Sequence, residues 1–221
     1  MPTNLITIVR DPDTADLLKA YFAETGTTYT GRRFERLGGG GDRGDIRDVI
    51  TATDLVAVEM LGVQVPPEVS INILEGPLGR ELSDLLRQVP IGVDLGEGRA
   101  AEEVEDDSPA NLAWRRLKEQ KGVGAVIAGK ILARKRPRLL PVWDQVLWCQ
   151  FGRPEAVWKQ LQNALSVDGG VLRKELGELR DRAALPAEIS LIRVLDVVLW
   201  MRHRPEHKER NCPGYDTVTF V

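Results

Sequence analysis

The stretch that decides the fold is KGVGAVIAGKILARKRPRLLPVWD, which runs from Lys121 to Asp144. It opens with the glycine pair Gly122-Val123-Gly124 and continues as an apolar segment with small residues at helical spacing. Glycines permit a sharp turn between two helices. The helix that follows begins with unpaired N–H groups and the positive end of its dipole. The pattern therefore predicts a helical hairpin whose turn suits a phosphate group.

A run of cations follows the glycine pair and supplies five positive side chains within nine residues. The formal net charge of the whole chain is −3, which argues against a histone-like, wholly electrostatic binder. Any nucleic-acid surface must therefore be a local patch. We interpret the run as that patch, with an ordinary solvated face as the alternative. Its members are Lys130, Arg134, Lys135, Arg136 and Arg138.

The composition is that of a soluble globular protein of 221 residues, with 43% hydrophobic and 29% charged residues. Its two cysteines, Cys149 and Cys212, are too few for a disulfide framework or a four-cysteine iron–sulfur site. We therefore expect no metal and no cofactor. With no secretory signal and no apolar run of membrane-spanning length, the sequence predicts a cytoplasmic protein without a membrane partner.

Helical periodicity dominates the chain from residue 46 onward, so the predicted fold class is mainly α. We expect one globular unit of two interlocking helical subdomains, one formed by residues 46–137 and ending in the hairpin. Residues 1–45 and 138–221 form the other, with a cleft between them. Stretches rich in β-branched residues at 3–9 and 27–33, together with the tail DTVTFV, predict a small β element.

The hairpin and the segment after it resemble the helix-hairpin-helix superfamily of DNA glycosylases. The resemblance rests on Gly122-Val123-Gly124-x-x-x-Ala128 after a helix and on Leu140-Pro141-Val142-Trp143-Asp144 at the family's spacing. It covers roughly residues 109–153, and outside them it rests on the helical pattern alone. The stretches YTGRRFE, DLVAVEMLGVQVPP and LARKRPRLLPVWD also resemble an uncharacterised actinobacterial-type family. Together they indicate a divergent branch of the glycosylases.

The resemblance implies an enzyme that acts on double-stranded DNA and flips a damaged or modified base out of the duplex. Amides at Gly122, Val123 and Gly124 would hold phosphates. Asp144 would stabilise the cationic sugar and orient or deprotonate the attacking water. Trp143 is the expected base-pocket residue. The sequence does not name the base: a repair substrate and a hypermodified phage base, such as glucosylated hydroxymethylcytosine, both remain open.

One departure from the glycosylase pattern concerns the reaction type. Bifunctional members carry a Schiff-base lysine two residues after the second hairpin glycine, and that position is Val126 here. The resemblance therefore implies a monofunctional enzyme that leaves an abasic site intact. Lys130, one turn further along, is the alternative source of lyase activity. The iron–sulfur cluster of some members is not expected.

Other interpretations stay open at this level. Asp144 can be a plain helix N-cap, so the rival functions are a non-catalytic helix-hairpin-helix DNA-binding protein and a helical protein-interaction domain. Minor alternatives are a phosphate loop at Gly38–Gly41, a metal site in the acidic run 102–107, and a zinc site from His203, His207 and Cys212. Pro205 is expected to break the helical register between the two histidines.

Overall fold

The computed structural model describes residues 5–151 and 156–209. Within those ranges the chain is helical and contains no strand, which confirms the mainly α prediction. The α helices are α1 (Leu5–Arg10), α2 (Thr14–Phe22), α3 (Ala52–Glu59), α4 (Pro67–Leu74), α5 (Pro77–Leu86), α6 (Ala100–Glu103), α7 (Pro109–Lys118), α8 (Ala125–Lys135), α9 (Gln145–Phe151), α10 (Val157–Ser166), α11 (Val171–Arg182) and α12 (Leu191–Lys208). Short 3₁₀ helices span Thr30–Arg33, Leu37–Gly39 and Val167–Gly169.

Local sequence signals set where several helices begin. α3 has a reciprocal capping box, in which the Thr51 side chain accepts from the Asp54 N–H and the Asp54 side chain accepts from the Thr51 N–H. α4, α5 and α7 each have proline in the first turn, where its missing N–H costs no hydrogen bond. Ser190 caps α12 by accepting from the Arg193 N–H. These signals are readable from the sequence because they act over three or four residues.

The helices pack in two groups that share one hydrophobic core. In the first group, α8 packs against α7 and α3, and α5 packs against α4 and α7. In the second group, α12 packs against α2, α9 and α11, while α11 also contacts α1 and α10. The chain passes from the first group to the second through residues 136–144. The assignment of the groups to separate subdomains stays a prediction.

The small β element predicted for the N-terminal region is wrong. Leu5 and Val9, both buried, lie one helical turn apart on α1, which packs on α11, so the 3.6-residue period prevails over the β-branched composition. Residues 27–33 contain no strand, and Thr30–Arg33 form a 3₁₀ helix. Gly31 there lies so close to α2 that a Cβ atom would sit 2.2 Å from Tyr21 Oη. The tail DTVTFV lies outside the described residues.

In the part of the chain that the structure describes, no helix combines the length and the apolar character needed to cross a membrane.

Candidate active site

α7 and α8 pack on each other and are joined by residues 119–124, which form the glycine turn. Gly122 adopts φ +81°, a left-handed conformation, and a Cβ atom there would lie 3.0 Å from Pro66 Cγ. Val123 is buried and donates its N–H to Gln120 O at 3.0 Å. Gly124 is extended and precedes α8 without any side-chain cap. Neighbouring protein atoms therefore restrict the turn only on the side that faces Pro66 and the buried Val123.

The outer side of the turn presents unpaired donors. Gly122 and Gly124 are exposed, and within residues 5–151 and 156–209 their N–H groups donate to no protein acceptor. The first N–H groups of α8 also lack a cap. An uncapped helix start with exposed amides suits an anionic oxygen. The neighbouring Lys121 is exposed and adds a positive charge.

Asp144 directly precedes α9 at the end of the segment that connects α8 to it. Its Oδ1 accepts from the N–H groups of Val146 at 3.0 Å and Leu147 at 3.3 Å, so the side chain is an N-cap. The other carboxylate oxygen, Oδ2, forms no hydrogen bond within the described residues. One oxygen therefore fixes the orientation of the carboxylate and leaves the second for another partner.

Asp144 lines an open cavity of about 640 Å³ that also borders the glycine turn. We name this cavity the outer cleft; Gly122, Gly124, Lys130 and His207 line it together with Asp144. The structure thus places the hairpin glycines and Asp144 on one surface, although 20 residues separate Gly124 from Asp144 in the sequence. Burial lowers the pKa of His207, and His203 lowers it further, while Asp144 opposes both effects.

A second cavity of about 240 Å³ adjoins the outer cleft, because Asp144 and Lys130 line both. We name it the aromatic cavity, since Tyr21, Tyr29 and Trp200 form part of its wall. The two tyrosine rings are stacked with centroids 5.3 Å apart, and Trp200 meets both edge-on at 6.0 Å and 5.7 Å. The cavity therefore has a preformed aromatic face beside a carboxylate.

Arg193 holds the far side of the aromatic cavity in place. Its guanidinium lies 2.7 Å from Glu35 Oε1, donates to Asp196 Oδ2, and donates to Tyr21 Oη at 2.8 Å and to Gly31 O at 3.2 Å. Burial raises the pKa of Tyr21 to about 12, so its hydroxyl stays protonated. One buried cation thus organises two buried carboxyl groups and a phenol.

Lys130 is 2% exposed and donates its ammonium to Leu61 O at 3.0 Å. Burial lowers its pKa, and the carboxyl groups of Asp144 and Asp196 partly oppose that effect. The side chain therefore lies between the two cavities as a desolvated amine with acids on both sides.

A model for a family described as "Family of unknown function (DUF6308)" matches residues 14–203. The chain belongs to this family. No curated protein and no solved structure matches the sequence. The matched range contains the glycine turn, Asp144 and α12 as far as His203, so it includes every residue named above for the outer cleft except His207.

The basic surface patch predicted for this DUF6308 protein is wrong at Lys130, Arg134, Lys135 and Arg136. All four are at most 3% exposed. Arg134 Nε and Lys135 Nζ each lie 3.0 Å from the Asp54 carboxylate, which is itself buried. These cations point inward because α8 is central to the fold, so residues on every side of it meet protein.

The buried cations also satisfy backbone carbonyls of the irregular segment 34–47, which has few backbone partners of its own. Arg134 donates to the carbonyls of Phe34, Glu35 and Leu37. Lys135 donates to Ile46 O at 2.8 Å, and Arg136 donates to Arg47 O at 2.7 Å. The run that looks like a DNA-binding patch is therefore an internal support for a loop.

Arg138 differs from the other members of the run. Its side chain is 39% exposed and pairs with Asp94. A DNA contact at this position stays a prediction.

Trp143, the predicted base-pocket residue, lies elsewhere. Its side chain lines a third cavity with Trp114, Trp148 and Trp158, and that cavity does not include Asp144. Pro141 and Trp143 line this third cavity, whereas Val142 and Asp144 line the aromatic cavity, so adjacent residues face different cavities. The structure therefore places Trp143 outside both cavities that Asp144 lines.

Sequence reasoning missed the aromatic cavity. Arg193, Asp196 and Trp200 lie three and four residues apart on the apolar helix α12. A charged pair inside a helix that is otherwise apolar was the available signal, because such groups are buried only with partners. Tyr21 and Tyr29 carried no comparable signal, since they come from a distant part of the chain.

The minor alternatives also receive structural explanations. Gly41 approaches α8 so closely that a Cβ atom would lie 2.4 Å from Arg134 O, which accounts for a glycine in that loop by packing. Glu105 and Asp106 both pair with Lys159. Within the described residues no group of His, Cys, Asp and Glu side chains could hold a metal ion.

The predicted break at Pro205 is wrong, because α12 continues through it to Lys208. The rings of His203 and His207 lie 6.3 Å apart on that helix. The third residue of the zinc alternative, Cys212, lies outside the described residues.

Proposed function

We propose that this protein is a monofunctional DNA glycosylase that hydrolyses the N-glycosidic bond of a damaged or modified base and leaves an abasic site. The observation that carries the proposal is the position of Asp144. Its carboxylate borders both the outer cleft, which contains the glycine turn, and the aromatic cavity. A phosphate-binding turn, a carboxylate and a ring-sized cavity are the parts that base excision requires.

In this proposal the outer cleft receives the DNA backbone. The exposed amides at Gly122 and Gly124 and the ammonium of Lys121 contact phosphates and carry no sequence information. The buried cations Arg134, Lys135 and Arg136 do not line the outer cleft and take no part. The net charge of −3 then implies modest non-specific affinity that falls with added salt.

The Asp144 carboxylate acts on the sugar. As the bond between C1′ and the base breaks, positive charge develops on the sugar, and a fixed negative charge nearby stabilises it. Water adds to C1′ and gives its proton to Asp144. The hydrogen bonds from Val146 and Leu147 hold Oδ1, so Oδ2 is the oxygen that performs both tasks.

Substrates of both earlier kinds, repair lesions and hypermodified phage bases, fit a DNA glycosylase. The aromatic cavity, at about 240 Å³, lies below the roughly 300–1,000 Å³ of pockets for drug-sized ligands, so it suits a single base ring. A glucosylated base would need to extend its sugar into the outer cleft. Since chromosomal and phage DNA are the substrates considered, we expect a cytoplasmic location.

The direct test is detection of abasic sites after the full chain is incubated with a panel of DNAs. The panel contains oligonucleotides with common lesions, bacterial genomic DNA and phage DNA with modified bases. Asp144→Asn keeps the N-cap but removes the charge, and it should lower the excision rate by about 10²-fold or more. Asp181→Asn, at an exposed position on α11, is the matched control.

The second candidate is a non-catalytic DNA-binding protein, favoured by the capping role that Asp144 already has. If the protein is a non-catalytic DNA-binding protein, it should bind duplex DNA and produce no abasic sites in any DNA of the panel. Equal excision by the wild type and Asp144→Asn would instead remove Asp144 from the mechanism.

A further inference from the structure

The aromatic cavity contains an acid other than Asp144. Asp196 lies on α12, one helical turn before Trp200, and it lines the cavity while its side chain is only 5% exposed. Its Oδ2 accepts from Arg193 Nη1, and no hydrogen bond to Oδ1 is found within the described residues. Because Asp196 lines the cavity, Oδ1 is the oxygen available to a ligand or a proton there.

The cation beside Asp196 has several protein partners. Arg193 donates to Asp196, Tyr21 and the carbonyl of Gly31, and its Nε lies 2.7 Å from Glu35 Oε1. Both Arg193 and Asp196 line the cavity, and the carboxyl group of Asp196 is the one of the two that can supply a proton to a ligand there.

Burial favours a neutral carboxyl group at Asp196 and outweighs the opposing effect of Arg193. Three acids, Glu59, Asp144 and Asp196, and two cations, Lys130 and Arg193, line the cavity, and Glu35 pairs with Arg193. Burial raises the pKa of Asp196 to about 7, and the Asp144 and Glu35 carboxylates act in the same direction against Arg193. Asp196 can therefore carry a proton at neutral pH, whereas Asp144 borders the open cleft.

We propose that the aromatic cavity holds the flipped base and that Asp196 donates a proton to that base as it leaves. The inference rests on the proposed glycosylase function and assigns it a base pocket and an acid. The ligand class is a planar nucleobase that presents an acceptor, a ring nitrogen or a carbonyl oxygen, to Asp196. The aromatic face of Tyr29 and Trp200 contacts the ring.

The reaction balances when Asp196 begins protonated and Asp144 begins as a carboxylate. The C1′–N bond breaks and its electron pair stays on the base, which takes the Asp196 proton. Water forms the new C1′–O bond and gives its proton to Asp144. Solvent then returns a proton to Asp196 and removes one from Asp144. Two acids in different environments, one protonated and one ionised, are a recurrent arrangement in hydrolysis.

The first experiment measures base binding without catalysis. Free adenine, guanine, cytosine, thymine, uracil and 5-hydroxymethylcytosine are titrated to millimolar concentration into the full chain and followed by saturation-transfer NMR. At least one should bind the wild type and Asp181→Asn equally. Asp196→Ala and Trp200→Ala should weaken that binding about tenfold or more. Binding by no base, or equal binding by Asp196→Ala, would overturn the pocket.

Asp196→Asn guards against a folding defect, because it keeps the size of the side chain. Circular dichroism should show that it has wild-type helix content. If Asp196→Ala is unfolded, the pocket is judged on Asp196→Asn and Trp200→Ala. The pocket fails if both bind the bases as the wild type does.

The second experiment measures single-turnover excision against pH on whichever substrate the DNA panel identifies. The wild-type rate should fall above about pH 7 as Asp196 loses its proton. Asp196→Asn should be about 10²–10⁴-fold slower and should lack that decline. Electron-withdrawing substituents on the base should restore the excision rate of Asp196→Asn, because a better leaving group needs less protonation.

The outcomes separate the two proposals. In one outcome, Asp144→Asn loses activity while Asp196→Asn keeps full activity and the wild-type pH profile. That outcome rejects Asp196 as the acid and supports the glycosylase function. Base binding that depends on Asp196, without excision of any panel DNA by the wild type, keeps the pocket and overturns both the acid and the glycosylase.

Discussion

The ammonium of Lys135 lies 3.0 Å from Asp54 Oδ2, and both side chains are buried. Asp54 also accepts from Arg134 Nε at 3.0 Å and from the Thr51 N–H at 2.9 Å. A single carboxylate therefore joins the start of α3 to the end of α8. Two of the cations that look available for DNA in the sequence, Arg134 and Lys135, are committed to this cluster.

We expect Asp54→Ala to destabilise the fold by about 3–5 kcal/mol, because it leaves two buried cations without their carboxylate. Loss of the capping box adds to the effect. Urea unfolding followed by circular dichroism measures the change. Asp94→Ala, which removes the partner of the partly exposed Arg138, should cost about 1 kcal/mol or less. Similar losses in the two variants would contradict the role given to the buried cluster.

The hairpin glycines should respond differently to a methyl group. Gly122→Ala places a Cβ at φ +81° and against Pro66, so it should cost about 1–2 kcal/mol of stability. Gly124→Ala has an ordinary φ and no atom within 4 Å of the added Cβ. It should keep wild-type stability and weaken duplex binding, because the methyl group obstructs the exposed amides.

Thermal unfolding and fluorescence anisotropy with labelled duplex DNA separate the two effects. If Gly124→Ala binds DNA as tightly as the wild type, the turn is not the phosphate site.

DNA affinity should depend on the exposed lysine beside the turn. Lys121→Glu should weaken binding to all duplex sequences and reduce the slope of log affinity against log salt by about 1. Lys174→Glu, at an exposed position on α11, is the control and should leave both quantities unchanged. An equal loss in the two variants would indicate non-specific charge repulsion instead of a site at the turn.

Stability should decrease as pH rises through neutrality. The folded-state pKa of Asp196 is about 7 against an ordinary value of 3.8, so the folded protein binds its proton more tightly than the unfolded chain. That contribution is complete below about pH 4 and is lost as pH rises through about 7. The raised pKa of Glu35 acts in the same direction.

The measurement is Tm between pH 5 and pH 8 for the wild type and Asp196→Asn. The fall in Tm should be smaller in the variant, because one of the two carboxyl groups no longer titrates. An equal fall in both proteins would show that Asp196 does not titrate in this range.

The reaction should leave the DNA strand uncut. Val126 occupies the position of the Schiff-base lysine in bifunctional glycosylases, and the Lys130 ammonium is bonded to Leu61 O. Borohydride should therefore trap no covalent complex between the protein and DNA that contains an abasic site. A trapped complex that disappears in Lys130→Arg would instead assign lyase chemistry to Lys130.

The mainly α class could be predicted because helical periodicity, proline starts and capping residues act over short distances in the chain. The sequence also predicted that Asp144 lies near Gly122 and Gly124. Only one helix and a short connection separate the glycine turn from Asp144. Residues 3–9 were misassigned because their β-branched composition outweighed the weaker helical spacing of Leu5 and Val9. Local composition does not show that α11 packs against α1 and buries Leu5 and Val9.

What the sequence by itself determined is the succession of helices, the glycine turn and a carboxylate at the start of α9. Only the tertiary structure decided which side chains face water. It turned the cations of α8 inward, because Asp54 and the carbonyls of segment 34–47 satisfy them better than solvent can once α8 is central. It also brought Tyr21, Tyr29, Asp196 and Trp200 around one cavity. Burial and long-range packing depend on the whole chain, and no local pattern encodes them.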